Sequence, residues 1–289
     1  MLKGRLGLET ARVAHADRHG ILLLDRGNLV VHDGCLRFLT AGGSLNPGDY
    51  QIPHQTLSAI LLGPGSTVSH DALRLLARHG TGLSAVGTDG VRCYTAQPLG
   101  PDRSDWARQQ ARLWSDEKQR LQVARQMYAW RLGEVLPHRS IEVLRGIEGG
   151  RMKESYRLIA RRYGIRWQGR RYDRQNPDAT DAPNQAINHA ATAVESAAAI
   201  AVACTSTLPQ LGFIHEDSDQ SFVLDIADLY RTSLTLPVAF ASARELETNR
   251  GDTLDRIVRR RASRVFRKEK LIPSMIDRIK ELFDKPKSP

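Results

Sequence analysis

The sequence predicts an α+β protein: an N-terminal β-sandwich-like domain over residues 1–96, a linker at 97–104, and a larger all-α C-terminal domain over 105–289. Three observations carry this. Short apolar runs punctuated by turn residues fill the N-terminal part. Gln97-Pro98-Leu99-Gly100-Pro101 then breaks every pattern, and beyond it the apolar residues recur at helical spacing.

The N-terminal elements follow from turn chemistry. Ile21 to Leu24 and Leu29 to Val31 flank Asp25-Arg26-Gly27-Asn28 and are expected as a hairpin. Asp33-Gly34 leads into Cys35 to Thr40, where Leu36, Phe38 and Thr40 alternate with Arg37 and Leu39. Leu57 to Leu62 is a continuous apolar strand stopped by Gly63-Pro64-Gly65. Ser69-His70-Asp71 can cap a short helix over Ala72 to His79 that ends at Gly80. Leu83 to Val86 and Val91 to Thr95 flank Asp89-Gly90, a second expected hairpin. In the C-terminal part, Trp106, Leu113, Leu121, Ala124, Met127, Tyr128 and Leu132 mark helices from the cap at Ser104 to Gly133. Further helices are expected from Ser140 to Tyr163, from Pro183 to Cys204, over Leu234 to Leu246, and over Thr253 to Phe283 with breaks at Pro237 and Pro273.

Composition narrows the function classes. The chain has 289 residues, 42 Lys and Arg against 32 Asp and Glu, a net charge of +10 and a 41% apolar fraction. That is a globular composition with a polyanionic partner, nucleic acid or an anionic membrane surface. A membrane role has little support: the longest uninterrupted apolar run, Ala197 to Cys204, falls far short of a span. The basic N-terminus lacks the apolar core of a secretory signal. Cys35, Cys93 and Cys204 form no CxxC pair, which argues against a disulfide framework or zinc knuckle and for a reducing cytoplasm.

Three features of the helical part stand out. Arg145-Gly146-Ile147-Glu148-Gly149-Gly150-Arg151 places three glycines inside an expected helix, each costing ~1 kcal/mol relative to alanine. That burden is repaid if something must approach this backbone. The alternative for Glu148 is an ordinary Arg-Glu pair on a solvated face. Leu211-Gly212-Phe213-Ile214-His215 delivers a histidine just before a polar loop, as a ligand or as a structural side chain. Phe222 to Leu229 carries Asp225 and Asp228 three residues apart, on one face of a helix, where two like charges need a cation or a shared proton. A helix cap by Asp225 is the simpler alternative. Together Glu148, His215 and Asp228, with Asp225, form an oxygen-rich donor set with one imidazole. It suits Mg²⁺ or Mn²⁺ acting on a phosphodiester.

In order along the chain, LLGPGSTVSHDALRLLARHGTGL at 61–83, GTDGVRCYTAQP at 87–98, LRGIEGGR at 144–151, YRLIARRYGIRWQGRRYD at 156–173, LGFIH at 211–215 and SFVLDIADLYR at 221–231 resemble the CRISPR-associated integrase-nuclease of spacer acquisition, in its subtype I-E form. The resemblance implies that Glu148, His215 and Asp228 are metal ligands, that Asp225 is an additional active-site acid, and that the helical domain is catalytic. It implies a homodimer that joins a small ferredoxin-fold companion protein and carries double-stranded DNA to a repeat array. There each 3′-hydroxyl attacks a phosphodiester by transesterification, and branched DNA is cleaved at the same centre. It also implies DNA contacts by Arg74, Arg92, Arg145, Arg170, Arg171, Tyr172 and Arg231. Arg259 joins them from the basic run Arg250 to Lys270, which only Asp252, Asp255 and Glu269 oppose. Arg26 stands where the family has an end-stacking aromatic, and no aromatic follows soon after Asp173. The reading from another class is a non-catalytic DNA-binding scaffold in which the acidic and histidine cluster is structural.

Overall fold

The computed structural model describes residues 18, 20–94, 104–137, 140–171, 180–249 and 251–283. It divides into two compact units, 1–86 with 94–104, and 87–93 with 105–289. The linker expected at 97–104 lies, apart from Ser104, outside the described residues.

In the first unit the continuous apolar run β5 (Leu57–Leu62) is buried from Ser58 onward, on both faces. A strand of that kind belongs in the middle of a parallel sheet. β5 pairs in parallel with β1 (Gly20–Leu24) on one side and β7 (Gly82–Ala85) on the other. The second sheet has the order β4-β3-β2-β6, from Gly48–Gln51, Cys35–Thr40, Gly27–His32 and Thr67–Val68. Between the sheets lie Leu24, Leu29, Leu36, Phe38, Ile60 and Leu62, closed over by Ala72 and Leu76 of α1 (His70–His79). The two-sheet expectation holds, but the first expected hairpin does not. β1 and β2 lie in different sheets, and Arg26, at φ 55°, turns the chain from one to the other. Leu24 and Leu29 both reach the core between the two sheets this way. The β2–β3 hairpin closes on Asp33-Gly34 with φ of 51° and 74°, the two positive values a type I′ turn requires. α1 ends as expected at Gly80, φ 66°, but starts at His70, two residues before Ala72, because Ser69 itself is the cap: its Oγ accepts the Ala72 N–H at 3.1 Å.

The expected hairpin around Asp89-Gly90 forms, short and with a 3₁₀ turn over Thr88–Gly90 at its tip: Tyr94 N–H donates to Ala85 C=O at 2.8 Å. Gly87 N–H donates to Arg92 C=O at 2.8 Å across the base of the turn. The helices of the second unit are α2 (Asp105–Ser115), α3 (Glu117–Leu132), α4 (Ile141–Arg162), α5 (Ala182–Thr205), α6 (Ser221–Asp228), α7 (Leu236–Thr248), α8 (Leu254–Lys268) and α9 (Leu271–Phe283). α5 is the hub. Its buried alanines, from Ala186 to Ala201, let α6, α7, α8 and α9 pack closely around it. The helix is long and apolar enough for a membrane span, but over half of that stretch is buried in this bundle, as in a core helix. Pro237 and Pro273 sit in the first turns of α7 and α9, where no intrahelical N–H is needed. The break between α8 and α9 is made by Lys270 at φ 49° rather than by Pro273.

Candidate functional site

The loop between α5 and α6 is held so that His215 has one position. Gln110 of α2, fully buried, donates to Leu208 C=O and Leu211 C=O at 2.9 Å each and accepts the Leu208 N–H at 2.7 Å. Trp114 Nε1 donates to Gly212 C=O at 2.9 Å, Arg120 to Phe213 C=O, and Arg145 to Ile214 C=O. Gly212 is obligatory here, because a Cβ would run into the backbone of His215 and Ser221.

Asp225 completes the grip. Its carboxylate, with no exposed surface, accepts the N–H groups of Phe213 at 2.5 Å, Ile214 at 3.0 Å and His215 at 3.0 Å, and meets His215 Nδ1 at 2.7 Å. It lies inside α6, so the reading of Asp225 as a helix cap is corrected: the N-cap position belongs to Gln220. The bond to Asp225 fixes the tautomer. A neutral imidazole carries its proton on Nδ1 and directs the Nε2 lone pair outward. That atom is 3.9 Å from Asp228 Oδ2. Hydrogen bonding to Asp225 is the main reason the His215 pKa is raised, with the Asp225 and Asp228 charges adding and burial opposing.

Asp228 ends α6, next to a π-helical turn over Arg231–Thr235. Arg231 Nη2 and Nε approach Asp228 Oδ1 at 2.6 and 2.8 Å, and Arg231 Nη1 donates to Tyr156 Oη at 3.3 Å. Arg131 of α3, only 6% exposed, reaches Asp228 Oδ2 at 3.2 Å and Glu148 Oε1 of α4 at 2.7 Å. Burial pushes the Asp228 pKa up, but Arg231, Arg131 and His215 together hold it below the usual range. Glu148 ends raised, because burial outweighs Arg131 and Asp228 repels it. Glu195 of α5 is a further carboxylate in this field. Burial raises its pKa, with Arg231, Asp228 and His215 acting on it.

Glu148, His215 and Asp228 are therefore brought into one region of the helical unit, with Asp225 behind His215. The donor chemistry, two carboxylates and an oriented imidazole, fits a hard divalent cation. Among the described residues no three acidic, histidine or cysteine side chains close into a cage by themselves, and Arg131 spans the gap between Glu148 and Asp228. Arg131 and Glu195 escaped the sequence reading. Arg131 sits in an unremarkable helical stretch, and Glu195 shows its signal only as the one acid among the α5 alanines.

The expected DNA contacts scatter more widely. Arg74 lies exposed on α1 of the first unit, paired with Asp71 at 3.1 Å. Arg92 and Arg259 both bind Asp255, at 3.0 and 2.5 Å. Arg145 stands beside the His215 loop, 3.6 Å from Glu216. Arg170 donates to Asn184 and Asn188, and the Arg171 N–H to Asn184. Tyr172 lies outside the described residues. Arg231 belongs to the acidic cluster itself, and a phosphate would have to compete with Asp228 for it.

The family model described as CRISPR associated protein Cas1 matches residues 21–137 and 129–253. The chain belongs to the Cas1 family. It is 38% identical to the CRISPR-associated endonuclease Cas1 of Escherichia coli (strain K12) over 92% of this chain and 85% of that one. It is 37% identical to CRISPR-associated endonuclease Cas1 1 of Rhodospirillum rubrum over 93% and 86%. The solved TtCas1–DNA complex shares its fold with a TM-score of 0.82 at 32% identity, covering 94% of this chain and 98% of that one. A casposase bound to integration product, TM-score 0.61 at 15% identity over 93% and 96%, shows the same fold only. Membership in Cas1, whose curated relatives are named endonucleases, makes this chain a nuclease of that family.

Proposed function

We propose that this Cas1 is a divalent-metal-dependent DNA integrase and endonuclease that joins the 3′-hydroxyl ends of a double-stranded fragment to a repeat array by transesterification. The observation that carries the reading is the oriented imidazole: Asp225 fixes His215 so that Nε2 faces Asp228, in the region that Glu148 also lines. Glu148, His215 and Asp228 would hold Mg²⁺ or Mn²⁺. Bound there, the ion would activate the attacking hydroxyl and stabilise the leaving oxygen. The chain's own residues prepare the place. Asp225 keeps His215 in its ligating tautomer, Arg131 and Arg231 keep Asp228 ionised, and the buried walls strengthen every charge interaction. Gly146, Gly149 and Gly150 leave the backbone of α4 uncovered beside Glu148, since an added Cβ at any of them would meet nothing. That suits close approach by a DNA strand. The similar TtCas1, solved in complex with DNA, supports a nucleic-acid substrate. We assign the homodimer and a small ferredoxin-fold companion as partners, with double-stranded and branched DNA as substrates.

The test is strand transfer of a fragment with free 3′ ends into a repeat-containing plasmid, with the companion present. Activity should need Mg²⁺ or Mn²⁺ and vanish in Asp228→Ala; activity that survives this change refutes the assignment. The scaffold reading draws on the arginines that already engage Asp228 and Glu148. It predicts DNA binding without transfer under every metal condition.

A further inference from the structure

We propose that Arg120 and Arg145 form a seat for a DNA backbone phosphate beside the His215 loop, and that Glu216 fills it as the protein's own anion until a strand displaces it. This rests on the DNA reading above and deepens it.

The loop itself builds the seat. Arg120 of α3 donates to Phe213 C=O through Nε at 3.3 Å and Nη2 at 3.4 Å, and its guanidinium carbon lies 5.9 Å from the centre of the Trp114 ring. The remaining nitrogen, Nη1, meets Glu216 Oε1. Arg145 of α4 donates to Ile214 C=O through Nη2, which also lies 3.6 Å from Glu216 Oε2. Both guanidinium groups are thus anchored on backbone carbonyls and keep their places when Glu216 leaves. Two fixed guanidinium groups around one anion suit a phosphate, because the planar fork matches carboxylate and phosphate alike.

Glu216 is the replaceable member. The Asp225 carboxylate has no exposed surface and that of Asp228 is 15% exposed, so both belong to the interior. The Glu216 side chain is 43% exposed, and an ion pair of that kind adds little net stability. Arg120 is mostly covered, at 16%, so the positive charge that Glu216 leaves behind is poorly served by solvent and takes another anion. The position fits a strand bound for the centre. Glu216 follows His215 in the chain, and Arg145 stands one turn before Glu148 and Gly149 on the same face of α4. A carboxylate held there lowers overall DNA affinity and favours substrates that place a phosphate in the seat over loosely attracted ones.

Fluorescence anisotropy of a labelled branched duplex, with the full chain in EDTA, tests this without calling on a metal. Glu216→Gln should bind about fivefold tighter than wild type, because the strand no longer breaks the ion pairs to enter. Asp217→Asn, which removes the same charge one residue on, should gain less than about twofold, since an exposed charge outside the seat is screened by salt. The gain from Glu216→Gln should vanish in the Arg145→Gln background, where the seat is broken. A Glu216→Gln affinity equal to wild type overturns the proposal. So does an equal gain in Asp217→Asn, or a gain that persists with Arg145→Gln. If Arg145→Gln folds poorly, the comparison of Glu216→Gln with Asp217→Asn decides alone. Wild type that binds no branched DNA overturns the DNA reading itself, and the seat with it.

Discussion

At the scale of single residues, Asp225 shows how burial turns a carboxylate into a fixture. It has no exposed surface and accepts three N–H groups and the His215 ring. An amide at that position has one acceptor oxygen and sets its NH₂ against these donors. Asp225→Asn should therefore lose about 3 kcal/mol of stability in urea unfolding, the cost of stranding buried donors. A loss under about 1 kcal/mol would mean that the loop holds without it. His215 gives a pH prediction. Its folded pKa is raised by the bond to Asp225, so its contribution to stability is complete below the unfolded value of about 6.5 and fades as pH rises through the folded value. The same proton competes with a metal at the ring. Mn²⁺ affinity should accordingly begin to fall, on acidification, at a pH above that of a free histidine. Calorimetric titration from pH 8.5 to pH 5.5 reads this, and a curve breaking below about 6.5 would contradict it.

At the scale of elements, the helices were legible in the sequence because caps and period agreed. Ser140 Oγ accepts the Val143 N–H to start α4, Gly133 ends α3 at φ 74°, and Asp181 caps α5. The strands were legible as strands but not as partners. A run such as Leu57–Leu62 reads equally as sandwich core or as central parallel strand, and only the long-range pairing with Gly20–Leu24 decides. The turn at Asp25–Asn28 has hairpin composition, yet the apolar residues on either side gain more by entering a core between two sheets. The site was legible where chemistry breaks local rules, at the glycines of α4 and the paired aspartates of α6. It was illegible at Arg131 and Glu195, ordinary helix residues whose roles depend on packing between elements distant in sequence. The α4 glycines give a further test. Gly149→Ala with Gly150→Ala fills open space inside a helix and should stabilise by ~1 kcal/mol per site. If DNA passes over this face, strand transfer should fall at least tenfold while the melting temperature rises. Full activity in the double variant would mean that the glycines serve something else.

For the whole molecule, the net charge of +10 predicts binding led by phosphates rather than bases. Exposed Arg256, Arg260, Arg264 and Arg267 form one stripe along α8, at successive turns. Although Arg260 is tied to Asp252 and Glu245, the stripe remains strongly basic. DNA affinity should drop steeply with salt and hardly vary with sequence, and replacing Arg256 and Arg264 by Gln should lessen the slope of log K against log salt by roughly two. A slope unchanged by both substitutions would place the duplex elsewhere.

On the proposed function, a divalent ion sits among Glu148, His215 and Asp228. Iron-directed backbone cleavage tests it where it lies. Fe²⁺ replaces the ion, ascorbate and peroxide are added, and the cut sites are mapped by mass spectrometry. Cuts are expected next to residues 148, 215 and 228, suppressed by excess Mg²⁺ and lost in Asp228→Ala. Cuts confined to other segments, or unchanged by that substitution, would contradict it.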